Sequence, residues 1–196
     1  MESAELSEAV TRATVATPSP SLLELPLDGA RVSLRSFQES DITQTYINWL
    51  NDPLVVRYSN QRFRLHTVES SLQYLATFNE SEHLFFAISD LASLEVVGTL
   101  TVYRNLHHGT ADIGIMVGHS ASWGRGFGSD AFCTVVQALE RSGQIRKLTA
   151  GTLAENKAMV RIMERAGFEL EGARRGQELL ENRPVDLLYY ARFCRA

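Results

Sequence analysis

Three glycines alternate in the run Trp123-Gly124-Arg125-Gly126-Phe127-Gly128, and Ser129 follows them. Thr110–Val117 ahead of the run reads as a strand, and Phe132, Val135, Val136 and Leu139 beyond it recur at helical spacing. The glycines therefore fall where a helix begins. Backbone without side chains can approach a ligand closely there. The unpaired N–H groups and the positive end of the helix dipole suit an anion. The pattern predicts a phosphate or pyrophosphate held by backbone between Gly124 and Ser129, although a tight strand-to-helix connection would use the same residues. No Gly-Lys-Ser/Thr follows, which excludes the lysine phosphate loop. The glycine spacing and the absence of a preceding βαβ unit exclude the dinucleotide fingerprint.

Other residues offer less. His107 and His108 lie in a short connection, where histidine titrates in a useful range. Arg62 and Arg64 sit in the polar run Ser59–His66. His, Cys and carboxylates show no metal-ligand spacing, and no metal is expected. Cys133 and Cys194 are the only cysteines, read as reduced thiols of a cytoplasmic protein rather than a disulfide. The chain has 196 residues and a formal charge of −4. That length suits one domain with a tail. The charge argues against nucleic acid as the main partner. No apolar run is long enough for a membrane span, and no signal peptide is expected.

The elements that must position these residues can be read in order. Residues 1–29 combine Ser, Thr, Ala and Glu with Pro18, Pro20 and Pro26, and are expected to form a mobile tail with one short helix near Glu5–Arg12. The folded domain is expected over 30–196. Arg31–Phe37 alternates as a first strand. A helix capped by Ser40 or Asp41 buries Ile42, Tyr46, Trp49 and Leu50 and stops at Asn51-Asp52-Pro53. Thr67 opens a second helix. His83–Ser89 and Val96–Arg104 form an antiparallel pair, with Thr110–Val117 next. Gly143 closes the helix after the glycine run. Lys147–Gly151 is a strand, Asn156 opens a helix stopped by Gly167, and Phe168–Ala173 and Val185–Phe193 are strands joined by a charged loop, Arg174–Pro184. The sum is an α/β chain with a mixed sheet of about seven strands.

Two separated pieces resemble one family. Trp123 to Gly128 resembles the acyl-CoA pyrophosphate loop of the GNAT N-acetyltransferases. Asn156, Met159 to Glu164 and Ala166-Gly167-Phe168 resemble that family's second signature, an Asn opening a helix that ends in Gly-Phe. Arg31–Phe37 and Tyr46–Pro53 resemble the branch holding ribosomal-protein N-terminal acetyltransferases and small-amine acetyltransferases. The likeness runs from Arg31 to Phe193.

The resemblance implies a mostly antiparallel seven-stranded sheet with helices on both faces and central strands, Thr110–Val117 and Lys147–Gly151, that splay apart. It implies acetyl-CoA as cofactor, with the pantetheine arm against backbone of Ile115, Met116 and Val117. The pyrophosphate falls to Gly124, Arg125, Gly126, Phe127, Gly128 and Ser129, and Asn156 lies near the thioester. It further implies direct attack by an amine, which needs a base, a fixed donor for the oxyanion and an acid for the thiolate. Asp112 stands where many relatives carry a Glu and is the candidate base, acting through water, with His107 and His108 as nearby alternatives. The backbone amide near Met116 or Val117 is the candidate oxyanion donor. The acid departs from the family pattern: Met163 stands where many relatives have Tyr, and Met159 where the ribosomal branch often has Ser. Either Tyr189 or Tyr190 on the last strand substitutes, Tyr190 being the one named for the site, or water protonates the thiolate. Trp49, Arg57, Tyr58, Arg62, Tyr103, His107 and His108 are the expected lining of the acceptor pocket. The expected partner is a small-molecule amine, with an amino sugar or amino nucleotide sugar first. A protein N-terminal amine is the alternative, a non-catalytic acyl-CoA-binding module a further one, and a homodimer the common assembly.

Overall fold

The computed structural model describes residues 23–194. The short helix expected near Glu5–Arg12 and most of the expected tail lie outside the described residues. Eight strands form one sheet: β1 (Leu27–Asp28), β2 (Val32–Ser36), β3 (Leu84–Asp90), β4 (Val96–Asn105), β5 (Thr110–Val117), β6 (Lys147–Leu153), β7 (Glu169–Leu180) and β8 (Arg183–Phe193). Their order is β1-β2-β3-β4-β5-β6-β8-β7. Every pairing is antiparallel except β5 with β6. Four helices pack on it: α1 (Gln44–Asn51), α2 (Val68–Asn79), α3 (Phe127–Arg141) and α4 (Lys157–Arg165).

The sheet has eight strands rather than seven. The additional one is β1, two residues inside the expected tail, where Leu27 pairs with Leu34 and Asp28 with Ser33. The first long helix also starts later than expected. Asp41 closes a short 3-10 turn, Glu39–Asp41, and Thr43 caps α1 by accepting from the Tyr46 N–H. Asp41 is unavailable as the cap because its carboxylate takes two bonds from Arg35, each 2.7 Å, and one from the Gln38 N–H at 2.8 Å. The charged run Arg174–Pro184 is not a loop. It continues β7 and β8 as a long hairpin, turned at Glu181 and Asn182 with positive φ of 51° and 61°.

Two cores sandwich the sheet. Phe132, Val135 and Leu139 of α3 and Met159 and Met163 of α4 pack on one face with Leu100, Ile113 and Leu148. Tyr46, Trp49 and Leu50 of α1 and Leu75 and Phe78 of α2 pack on the other with Phe85 and Ala87. Met159 and Met163 are thus packing residues. The feature that matters for function is the seam between β5 and β6. They pair only through Thr110–Lys147, Ala111–Leu148 and Asp112–Thr149, and diverge beyond. Among the described residues no helix is long and apolar enough to cross a membrane.

Candidate active site

Residues along an antiparallel strand turn their backbone groups to alternate sides. The Gly118 N–H donates to the Val97 carbonyl at 3.0 Å, and Met116 and Gly114 stand opposite Thr99 and Thr101. Gly114 and Met116 therefore face β4, whereas Ile113, Ile115 and Val117 turn their backbone toward the gap. The Val117 carbonyl is occupied by the Trp123 indole N–H at 2.8 Å. Of the three residues expected along the pantetheine arm, Ile115 has its whole peptide edge on the gap, Val117 its N–H, and Met116 neither. The Met116 side chain instead packs with the α1–α2 core. Val117 is accordingly the better placed of the two candidate oxyanion donors.

At the end of β5 the chain reaches the glycine run. Gly124 and Gly126 have φ of 74° and 89°, the left-handed region that side chains resist. Gly126 is the N-cap of α3 and brings no side chain to it. Among the described residues no acceptor takes the N–H groups of Phe127, Gly128 or Ser129. Asp130, the acidic residue of this first turn, is committed elsewhere. It accepts from the N–H groups of Ala30, Arg31 and Val32 at 3.2, 2.7 and 3.1 Å. Gly128 is closely packed, since a Cβ there would lie 3.3 Å from Val117 Cγ2 and 3.4 Å from Ile162 Cδ1. An uncapped helix start beside an open strand edge is the geometry that an extended, phosphate-bearing thioester needs.

These surfaces bound one cavity of about 820 Å³. Ile115, Met116, Val117, Gly124, Gly126, Phe127, Gly128, Ser129 and Asn156 all line it. Arg125 does not. Its guanidinium lies 4.7 Å over the Phe127 ring and 3.9 Å from Asp90. Two arginines outside the sequence expectation do line it, and a third borders the glycine turn. Arg161 and Arg165 line the cavity from α4, and Arg31 passes 3.7 Å from where a Cβ on Gly126 would lie. The spacing of Lys157, Arg161 and Arg165 on one helix was the available signal. Asn156 caps α4, accepting from the Met159 N–H at 3.2 Å, and donates to Thr152 Oγ1 at 3.1 Å.

The other end of the cavity is built from phenols. Tyr46, Tyr58, Tyr74 and Tyr103 line it, and only Tyr58 and Tyr103 were expected. Burial first, then the neighbouring tyrosines, push the Tyr46 and Tyr74 phenols well above their usual range, so both stay neutral. The remaining expected lining residues lie elsewhere. Trp49 is buried flat against Gly118, whose Cβ would fall 2.1 Å from the ring. Arg57 pairs with Glu181 at 2.7 Å, and Arg62 donates to the Leu179 carbonyl at 3.0 Å, so both fasten the loop after α1 to the β7–β8 hairpin. His107 and His108 sit at the β4–β5 turn, at the end of β5 opposite the glycine run.

The candidate proton-handling residues lie outside the lining. Asp112 stands at the last paired position before the gap, where its carboxylate accepts from Thr149 Oγ1 at 2.6 Å. Desolvation of the carboxylate raises its pKa, and the Thr149 bond opposes the rise. Tyr190 is buried beneath α4 in the core. Burial and then Glu164 raise its pKa. No three His, Cys, Asp or Glu of the described residues gather as a metal site.

Residues 31–169 match the family profile for an acetyltransferase (GNAT) domain. An uncharacterized N-acetyltransferase, p20 of Bacillus licheniformis, is 25% identical over 166 residues, spanning 82% of this chain and 92% of its own. Among solved structures, a ribosomal alpha-N-protein acetyltransferase, RimL, bound to coenzyme A superposes with a TM-score of 0.71 at 19% identity, over 86% of this chain and 96% of its own. The spermidine N-acetyltransferase of Vibrio cholerae, bound to CoA and spermine, gives 0.73 at 17% identity, over 83% and 95%.

Proposed function

The chain belongs to the GNAT acetyltransferase family, and from that premise we propose that it moves an acetyl group from acetyl-CoA to the primary amine of a small molecule, an amino sugar or amino nucleotide sugar being the first candidate. The observation that carries the reading is the continuity of one cavity from the uncapped start of α3, past the open edge of β5, to the phenol-lined end. Acetyl-CoA, when bound, supplies the activated acetyl thioester. The N–H groups of Phe127, Gly128 and Ser129 hold the pyrophosphate, with Arg161, Arg165 and Arg31 adding positive charge around it. Backbone of Ile115 pairs with the amide groups of the arm, and the Val117 N–H faces the developing oxyanion. Asn156 fixes the start of α4 beside the thioester.

The acceptor amine must lose a proton to react. Asp112 takes it through water, because the carboxylate is outside the cavity lining. The buried Tyr190 is poorly placed as the acid, so the departing thiolate takes its proton from solvent. The test is thiol release from acetyl-CoA against amino sugars, nucleotide amino sugars, polyamines and N-terminal peptides, with Asp112→Asn in parallel. Release with small amines that collapses in the variant supports both reading and base. A peptide-only response shifts the reading to a protein N-terminal acetyltransferase. Tight acetyl-CoA binding with no release from any amine indicates a binding module.

A further inference from the structure

Two of the cavity's phenols bond to each other. The Tyr74 and Tyr103 hydroxyls are 2.5 Å apart, and both residues line the cavity. Their rings are fixed from behind. Tyr74 stands edge-on to Phe78 and Phe85, and Tyr103 packs between Phe78 and His83 at centroid distances of 5.5 and 5.3 Å. His83 is itself held, its Nδ1 accepting from the Arg104 N–H at 3.1 Å. These contacts place the hydroxyl pair at the cavity wall.

Two phenols carry two protons, and their mutual bond uses one. The pair consequently offers one O–H and free lone pairs to a third group. A group that satisfies both must donate and accept. A hydroxyl does so. An ammonium only donates and a carboxylate only accepts. The reacting amine does not meet both demands: it can donate an N–H to the pair, but accepting the phenol O–H as well would occupy the lone pair needed for attack. Carboxylates for a polycation are also scarce: among the described lining residues Glu178 is the one acid.

We infer that the Tyr74–Tyr103 hydroxyl pair holds a hydroxyl of the acceptor, making these two residues the specificity element for primary amines that carry a hydroxyl over plain alkyl amines and polyamines. This rests on the transferase reading above. The discriminating experiment measures kcat/KM for matched acceptors, glucosamine against cyclohexylamine, with spermidine as the polycation, in the unaltered protein, in Tyr74→Phe, in Tyr103→Phe and in the double variant. Phenylalanine keeps the rings, and a thermal melt with acetyl-CoA titration verifies each fold. The expected result is a preference for glucosamine of about tenfold or more, the scale of one well-made hydrogen bond. It flattens in the double variant chiefly through KM. If the double variant does not fold, the drop in the same ratio in Tyr103→Phe decides. Equal turnover of the matched pair, a preference for spermidine, or a glucosamine preference that survives the double variant overturns the inference while leaving acetyl transfer intact. Acetyl-CoA binding without turnover of any amine overturns the transferase reading and this inference with it.

Discussion

At the scale of single residues, Asn156 and Asp112 separate stability from chemistry. Asn156 uses its carbonyl oxygen to cap α4 and its amide to bond Thr152. Asn156→Ala should cost about 1 kcal/mol, lowering Tm by about 2–4 °C in a domain of this size. Asn156→Asp keeps a capping oxygen and should restore Tm, yet it loses the donor and adds charge beside the cleft. Acetyl transfer is expected to fall in both variants, and melting curves with steady-state rates check this. Asp112 has the opposite signature. Its folded pKa is raised, so the folded state favours the protonated form. The group's contribution to stability is greatest below its unfolded pKa and declines as pH rises through the folded one. Asp112→Asn should therefore raise Tm slightly at pH 7, with no gain once the pH lies below the carboxylate range. The effect is small because the residue as a whole is exposed. Melts across that range read the sign directly, and a gain at low pH alone would contradict it.

At the scale of elements, Asp130 ties the turn between β1 and β2 to the first turn of α3. Three backbone N–H groups lose their acceptor in Asp130→Ala, a loss of about 2–3 kcal/mol, since bonds to a charged group are the stronger kind and water recovers part of each. Chemical denaturation should show it, with Asp130→Asn between the two. This contact also shows where sequence reading stops. The glycine turn was legible from its spacing alone, and the caps Thr67 and Asn156 and the stops Gly143 and Gly167 because each satisfies its own neighbouring backbone. Asp130 acts on residues 98 to 100 positions away. Asp41 could not be excluded as a cap until its partner Arg35 was placed across a turn. The Arg174–Pro184 run carries charge on a hairpin that looks like a loop when its pairing is unseen. In the candidate site, the glycine run was legible as a local pattern. Tyr46 and Tyr74 were not, because a tyrosine on the buried stripe of a helix reads as core until the strand opposite brings a third phenol.

At the scale of the whole molecule, the charge distribution opposes the net charge. The chain carries −4 overall, yet Arg161 and Arg165 line the cavity and Arg31 borders the glycine turn. A polyanionic cofactor approaching this protein is repelled by the average field and attracted by the local one. The two contributions differ in range. Backbone N–H groups at the start of α3 act at contact, and their effect falls off within a helical turn. The arginines act through solvent over about a Debye length, roughly 10 Å at 0.1 M salt and 3 Å at 1 M. Acetyl-CoA affinity should therefore weaken several-fold between 0.05 and 1 M sodium chloride, as about 0.5–1 kcal/mol of screened attraction is lost. In Arg161→Ala/Arg165→Ala the affinity at low salt should fall by a similar factor and the salt dependence should flatten, while binding at high salt stays close to that of the unaltered protein. Isothermal titration at both salt concentrations tests all of these together. A salt dependence that the double variant leaves intact would remove the α4 arginines from the cofactor site and leave Arg31 as the source of the screened attraction.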